Sequence, residues 1–180
     1  AGAGWPEEAR WEPGRLPPPP APGRIVVAID PGHGGIDPGA SRGGLVEKRL
    51  VLAFGRQLAE AVERRDGLAA YMTREEDVFV PLRERVRLAR DAGAHVFVSV
   101  HADSLLEGRA DGVSLYTLSE EGTDDATRAY AERENRSDVL AGVSLSGAED
   151  DVTRVLVDLA RRGTNHETDD LAAALLEALR

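Results

Sequence analysis

Three short apolar runs, separated by segments of helical periodicity, constrain the fold of this chain more than any other feature. Ile25-Val26-Val27-Ala28-Ile29 is continuous rather than alternating, and it ends at Asp30-Pro31-Gly32. Such a run predicts a strand buried on both faces that delivers its C-terminal end to a loop. A second strand is expected over Leu68 to Thr73, and a third over His95 to Val100, ending at His101-Ala102-Asp103. Between them, Val46 to Arg64 places Leu50, Val51, Phe54, Leu58, Ala61 and Val62 at helical steps. Pro81 to Ala92 predicts another helix, with proline at its first position. Strand, helix, strand, helix, strand implies an α/β fold with an open, mostly parallel sheet flanked by helices.

The rest of the chain is less regular. Gly112 to Leu118 alternates and is expected to form a further strand at a sheet edge. Residues 119–150 are acidic and polar, 151–162 are amphipathic, Gly163-Thr164-Asn165 interrupts, and Leu171 to Leu179 predicts a last helix. Residues 1–23, with four prolines at Pro17 to Pro20, suggest a linker or tail, or alternatively an arm packed through Trp5 and Trp11. There are no internal repeats.

The chain's 180 residues suit one domain with a real core. A net charge of −10, with no basic patch, argues against a nucleic-acid partner. The absence of cysteine excludes thiol catalysis, cysteine–metal sites and disulfides. No stretch reaches the roughly 18 apolar residues of a membrane span. There is neither an initiator Met nor a signal peptide, so the chain begins as a processed protein would. Asn135-Arg136-Ser137 is formally a glycosylation sequon, without meaning in a bacterial protein.

Functional groups in an open parallel sheet gather at the carboxyl ends of the strands. His33 and His101 follow two expected strands, and Glu47 lies in the first turn of the helix after the first. Two imidazoles and a carboxylate on one rim suit a zinc ion with a fourth position open to water. The glycines of Pro31-Gly32-His33-Gly34-Gly35 would let backbone and substrate approach such an ion. Spacing alone leaves blander readings open: a hydrogen-bonded strand-end histidine, and a glutamate placed for the helix dipole. The loop fits neither the dinucleotide fingerprint nor the P-loop. Ser99, His101 and Asp103 alternate on one strand, but a nucleophile there lacks an elbow turn. His95 and His166 are expected to be structural.

The motif IDPGHGGIDPGA at 29–40, followed by Glu47 and then SVHAD at 99–103, resembles the zinc-dependent N-acetylmuramoyl-L-alanine amidases. Similarity continues through TREEDVFVPLRERVRLAR at 73–90 and GVSLYTLSE at 112–120. AERENRSDVLAGV at 131–143 and VLVDLARR at 155–162 resemble the family's cell-division branch. The resemblance implies a phosphorylase/hydrolase-like α/β domain over 24–180, with His33, Glu47 and His101 as ligands of one zinc ion. It implies hydrolysis of peptidoglycan in the periplasm during daughter-cell separation. It further implies a regulatory insertion over about 119–167, removed from the site by an activator protein of LytM type.

In that scheme Glu120 would occupy the metal's open position, with Glu121 beside it. Val152, Val155, Leu156 and Leu159 would meet the activator. Solvated carboxylates and ordinary packing are the alternatives. The family's second essential glutamate lies in a motif resembling P-S-V-L-V-E beyond the final helix, and no such motif occurs here. A chain truncated before its general base is therefore expected to be slow or inactive. The alternatives are a catalytically inactive zinc-containing module that binds peptidoglycan or the activator, and a metallohydrolase acting on another amide.

Overall fold

The computed structural model describes residues 20, 23–102, 112–117 and 165–178. It divides into two compact units, Ala1–Glu107 and Gly108–Arg180.

The first unit contains β1 (Ile25–Pro31), β2 (Ser41–Arg42), β3 (Leu45–Val46), α1 (Glu47–Glu63), β4 (Leu68–Met72), α2 (Leu82–Asp91) and β5 (Val96–Val100). Its main sheet has the order β4-β1-β5, with both pairings parallel. The central strand is β1, and Ala28 and Ile29 are fully buried. This explains the apolar run through the strand's centre, since neither face of β1 meets water from Ala28 onward, whereas Ile25 at its start is exposed.

The two faces of β1 carry different helices. On one, Gly55 of α1 lies against Pro31, Met72 and Ile29, and a Cβ added there would stand 2.9 Å from Pro31 Cγ. On the other, Leu88 and Ala92 lie in a core cluster with Val26, Ala69, Tyr71 and Val80. The apolar stripe expected on α1 is rotated. Its buried positions are Glu47, Val51 and Gly55, while Leu50 and Phe54 are exposed. The missing side chain at Gly55 lets the helix approach the sheet along a line that apolar periodicity does not reveal.

Between β1 and α1 the chain makes a small antiparallel hairpin, β2-β3, that the sequence pattern did not show. Gly43 and Gly44, at φ 59° and 81°, form its two-residue turn. Strands of two residues are too short to display alternation.

In the second unit, α3 spans Asn165–Ala178 and starts ahead of the expected Leu171. Its early turns contain Glu167, Asp169 and Asp170, favourable charges near a helix N-terminus but invisible to an apolar count. His166 lies in this helix, its side chain outside the described residues. The strand expected over 112–118 is not formed at 112–117: Val113 and Tyr116 are exposed, and no ladder involves these residues. Thr117 Oγ1 donates a 3.4 Å hydrogen bond to Asp169 Oδ1. No described helix is long and apolar enough to cross a membrane. The 1–23 tail, except Pro20 and Gly23, lies outside the described residues, as do Asp103, Asn135, Glu120, Glu121 and the 152–159 positions.

Candidate metal centre

Strand register assembles the site. Pro31 of β1 pairs with Val100 of β5, and the Gly32 N–H donates to the Val100 carbonyl at 3.0 Å. The next residues, His33 and His101, therefore leave neighbouring strands at the same level. Their rings meet edge to face, with centroids 4.9 Å apart and planes at 83°. Glu47 opens α1, and two backbone bonds secure that end: Glu47 N–H to the Ala40 carbonyl at 2.8 Å and Lys48 N–H to the Pro38 carbonyl at 3.1 Å.

The three side chains converge. His33 Nε2 lies 3.1 Å from Glu47 Oε1 and 3.2 Å from His101 Nδ1, and His101 Nδ1 lies 3.2 Å from Glu47 Oε1. This nearly equilateral triangle is the fit test for a cation. Ligands on a tetrahedral ion with bonds of about 2.0–2.1 Å stand about 3.3–3.4 Å apart, close to all three edges. His33 Nδ1 donates to Asp37 Oδ2 at 2.7 Å, which leaves Nε2 as the nitrogen that meets a cation or a proton at the triangle. Carboxylate and imidazole lone pairs aimed at one another repel unless a cation or a proton lies among them. The residues present fit a divalent metal.

The surroundings make the site acceptor-rich and rigid. Glu47 is 1% exposed; its Oε2 accepts the Ala40 N–H at 2.7 Å and its Oε1 the Ala102 N–H at 2.8 Å. Burial opposes ionisation of Glu47, but hydrogen bonds from His101, His33 and these amides hold it well below the ordinary carboxylate range. Burial likewise disfavours charge on His33, yet Asp37 and Glu47 push its imidazole up to about 9.

The glycines around the ligands make room for the ligands themselves. A Cβ on Gly32 would lie 2.2 Å from His101 Cε1, and one on Gly39 would lie 2.6 Å from His33 Cδ2. A Cβ on Gly34 would stand 2.2 Å from the Val78 carbonyl oxygen. Space expected for substrate at Gly32 and Gly34 is thus occupied by protein.

Several residues beyond those singled out from sequence serve the site. Arg85 donates to the carbonyls of Val80, Pro31 and His33, each at 2.7 Å, and to Asp30 Oδ1 at 2.8 Å. Arg74 donates to the carbonyls of Pro31 and Gly32 at 2.8 Å, and to those of Glu76 and Lys48 at 3.0 Å. Burial, then the neighbouring Arg85, lowers the Arg74 guanidinium to about 10.

Asp30 also accepts from Thr73 Oγ1 at 2.5 Å and Ser99 Oγ at 2.9 Å. Ser99 is therefore tied to Asp30 rather than to a hydrolytic triad. Lys48 Nζ reaches the Gly35 carbonyl at 2.6 Å and Asp77 at 2.8 Å, pinning the far side of the loop. His95 is away from the triangle, with Nδ1 accepting the Val26 N–H at 3.0 Å.

Comparison with known proteins bears on the family of the chain. A family model described as Amidase_3, N-acetylmuramoyl-L-alanine amidase, matches residues 27–179. The chain is 39% identical to N-acetylmuramoyl-L-alanine amidase AmiA of Escherichia coli K12, covering 88% of this chain and 55% of that protein. It is 40% identical to the AmiC amidase of Neisseria meningitidis, covering 87% of this chain and 38% of the relative. The solved structure of AmiC2 of Nostoc punctiforme is 45% identical over 47% of each chain, with a TM-score of 0.44. The chain spans about half the length, or less, of these curated relatives. With a family model matched along most of its length and relatives near 40% identity, the chain belongs to the N-acetylmuramoyl-L-alanine amidase family.

Proposed function

We propose that this chain is the zinc-dependent catalytic domain of a periplasmic peptidoglycan amidase. Its reaction would be hydrolysis of the amide between N-acetylmuramic acid and the L-alanine of the stem peptide. The observation that carries this reading is the convergence of His33 Nε2, Glu47 Oε1 and His101 Nδ1 to within 4.8 Å of one another. The chemistry that zinc supplies when bound is Lewis acidity toward the amide carbonyl and acidification of water.

The chain's own residues prepare that chemistry. Asp37 keeps the proton on His33 Nδ1, so that Nε2 presents a lone pair. The Ala40 and Ala102 amides hold both oxygens of Glu47, fixing its orientation and keeping it ionised. Two neutral imidazoles and one carboxylate leave net positive charge on a bound divalent ion, which favours its electrophilic role.

Resemblance supports a regulated enzyme. In this proposal residues 119–167 close the site through Glu120, and an activator of LytM type opens it by engaging Val152, Val155, Leu156 and Leu159. Daughter-cell separation is the process such regulation would serve.

Mass analysis of digested peptidoglycan tests the reaction. The zinc-loaded protein, given an activator, is expected to release free stem peptides and leave glycan strands intact. His33→Ala is expected to abolish that release. Cleavage of a different amide would assign another hydrolase. Retention of peptidoglycan or activator without turnover would leave a zinc-containing binding module.

A further inference from the structure

Every carbonyl of the tripeptide Pro31-Gly32-His33 accepts a hydrogen bond from a buried arginine. Arg85 takes those of Pro31 and His33, and Arg74 takes those of Pro31 and Gly32. Arg85 is 3% exposed and Arg74 1% exposed. Hydrogen-bonded to one or both of them are three successive carbonyls, three more at Val80, Glu76 and Lys48, and the Asp30 carboxylate.

Two guanidinium groups buried together are a costly way to fill space, and apolar side chains of similar volume commonly stabilise a core better. What apolar residues cannot do is orient carbonyls. Here that orientation has a particular target. His33 is the one non-glycine residue at positive φ among the described residues, at 57°. A side chain in that region is strained and persists where its surroundings enforce it. The planar fork of Arg85 holds the carbonyls on either side of Gly32, and so fixes both the entry and the exit of the turn.

We propose that Arg85, together with Arg74, is a positioning residue for the metal centre. The pair acts through the Pro31–His33 backbone to hold His33 Nε2 over Glu47 and His101. This role rests on the zinc reading given under the proposed function. Lysine preserves the charge at either position but provides one ammonium in place of a fork, so it cannot restore the same set of bonds.

The test measures zinc affinity by competition with a chromophoric chelator, together with the visible spectrum of the cobalt-substituted chain. It compares the wild type with Arg85→Lys, Arg74→Lys and Arg87→Lys. Arg87 lies on the same helix but pairs on the surface with Glu84 and Asp91. Arg85→Lys and Arg74→Lys are expected to retain the fold by circular dichroism, to bind zinc about 10–100-fold more weakly and to show an altered cobalt spectrum. Arg87→Lys is expected to match the wild type in both. Wild-type affinity and spectrum in folded Arg85→Lys and Arg74→Lys would overturn the proposal, even with lowered melting temperatures. Failure of both to fold would also overturn it, because the pair would then serve the fold rather than the site. Absence of zinc binding by the wild type would instead remove the metal reading itself.

Discussion

His33 combines constraints that rarely meet on one residue. Its backbone is left-handed, its carbonyl is held by Arg85, its Nδ1 by Asp37, and its ring abuts the bare Cα of Gly39. Behind it, Asp30 supplies a negative charge against Arg85. Burial would raise the Asp30 carboxyl, but Arg85, Thr73 and Ser99 together hold it below its ordinary value of 3.8. A carboxyl whose folded value lies below its unfolded value adds stability that is complete above the unfolded value. That stability is lost as pH falls through the folded value. Acid unfolding of the wild type is therefore expected to steepen below about pH 4. Asp30→Asn strands the Arg85 charge, so it is expected to lose about 3–5 kcal/mol at neutral pH and to show a flatter dependence below pH 4. Denaturant titrations across pH check both. Equal pH dependence in the two proteins would show that Asp30 contributes nothing to it.

At the scale of elements, the turn from β1 into α1 decides whether the ligands meet. Gly39, at φ 64°, leaves no room for a Cβ against His33 and Glu47, whereas Gly43, at φ 59°, has nothing within 4 Å of its own. The two glycines share a backbone conformation and differ in surroundings, so their alanine variants separate strain from clash. Gly39→Ala is expected to weaken zinc binding by at least about tenfold, and Gly43→Ala to leave it near wild type. Equal affinities by calorimetry would show that the close packing of Gly39 is immaterial.

The same elements mark what was legible in the sequence. The runs at Ile25, Leu68 and His95 betrayed the parallel strands as short, continuous apolar stretches, although only the centre of β1 is buried on both faces and β5 leaves Phe97 exposed. Once those strands were placed, Glu47, His33 and His101 fell on one rim. Arg74 and Arg85 were not legible. They sit among Arg83, Arg87 and Arg90 in a charged stretch, and their partners are backbone carbonyls, which leave no trace in composition. Residues 112–117 misled because alternation survives in a segment that joins no strand ladder among the described residues. The start of α3 was hidden because its early turns are polar.

For the whole molecule, family membership and metal geometry bear on different claims. The match over residues 27–179 places the chain among the amidases, while the triangle of ligand atoms makes zinc the chemical core of the proposed activity. The triangle draws its three side chains from β1's loop, the start of α1 and the end of β5. The most direct measurement is X-ray absorption at the zinc edge on the chain loaded with one equivalent of metal. Two imidazole nitrogens and a carboxylate oxygen at about 2.0–2.2 Å, completed by one water oxygen, are the predicted ligand set. A shell of water oxygens without imidazole scattering would contradict it.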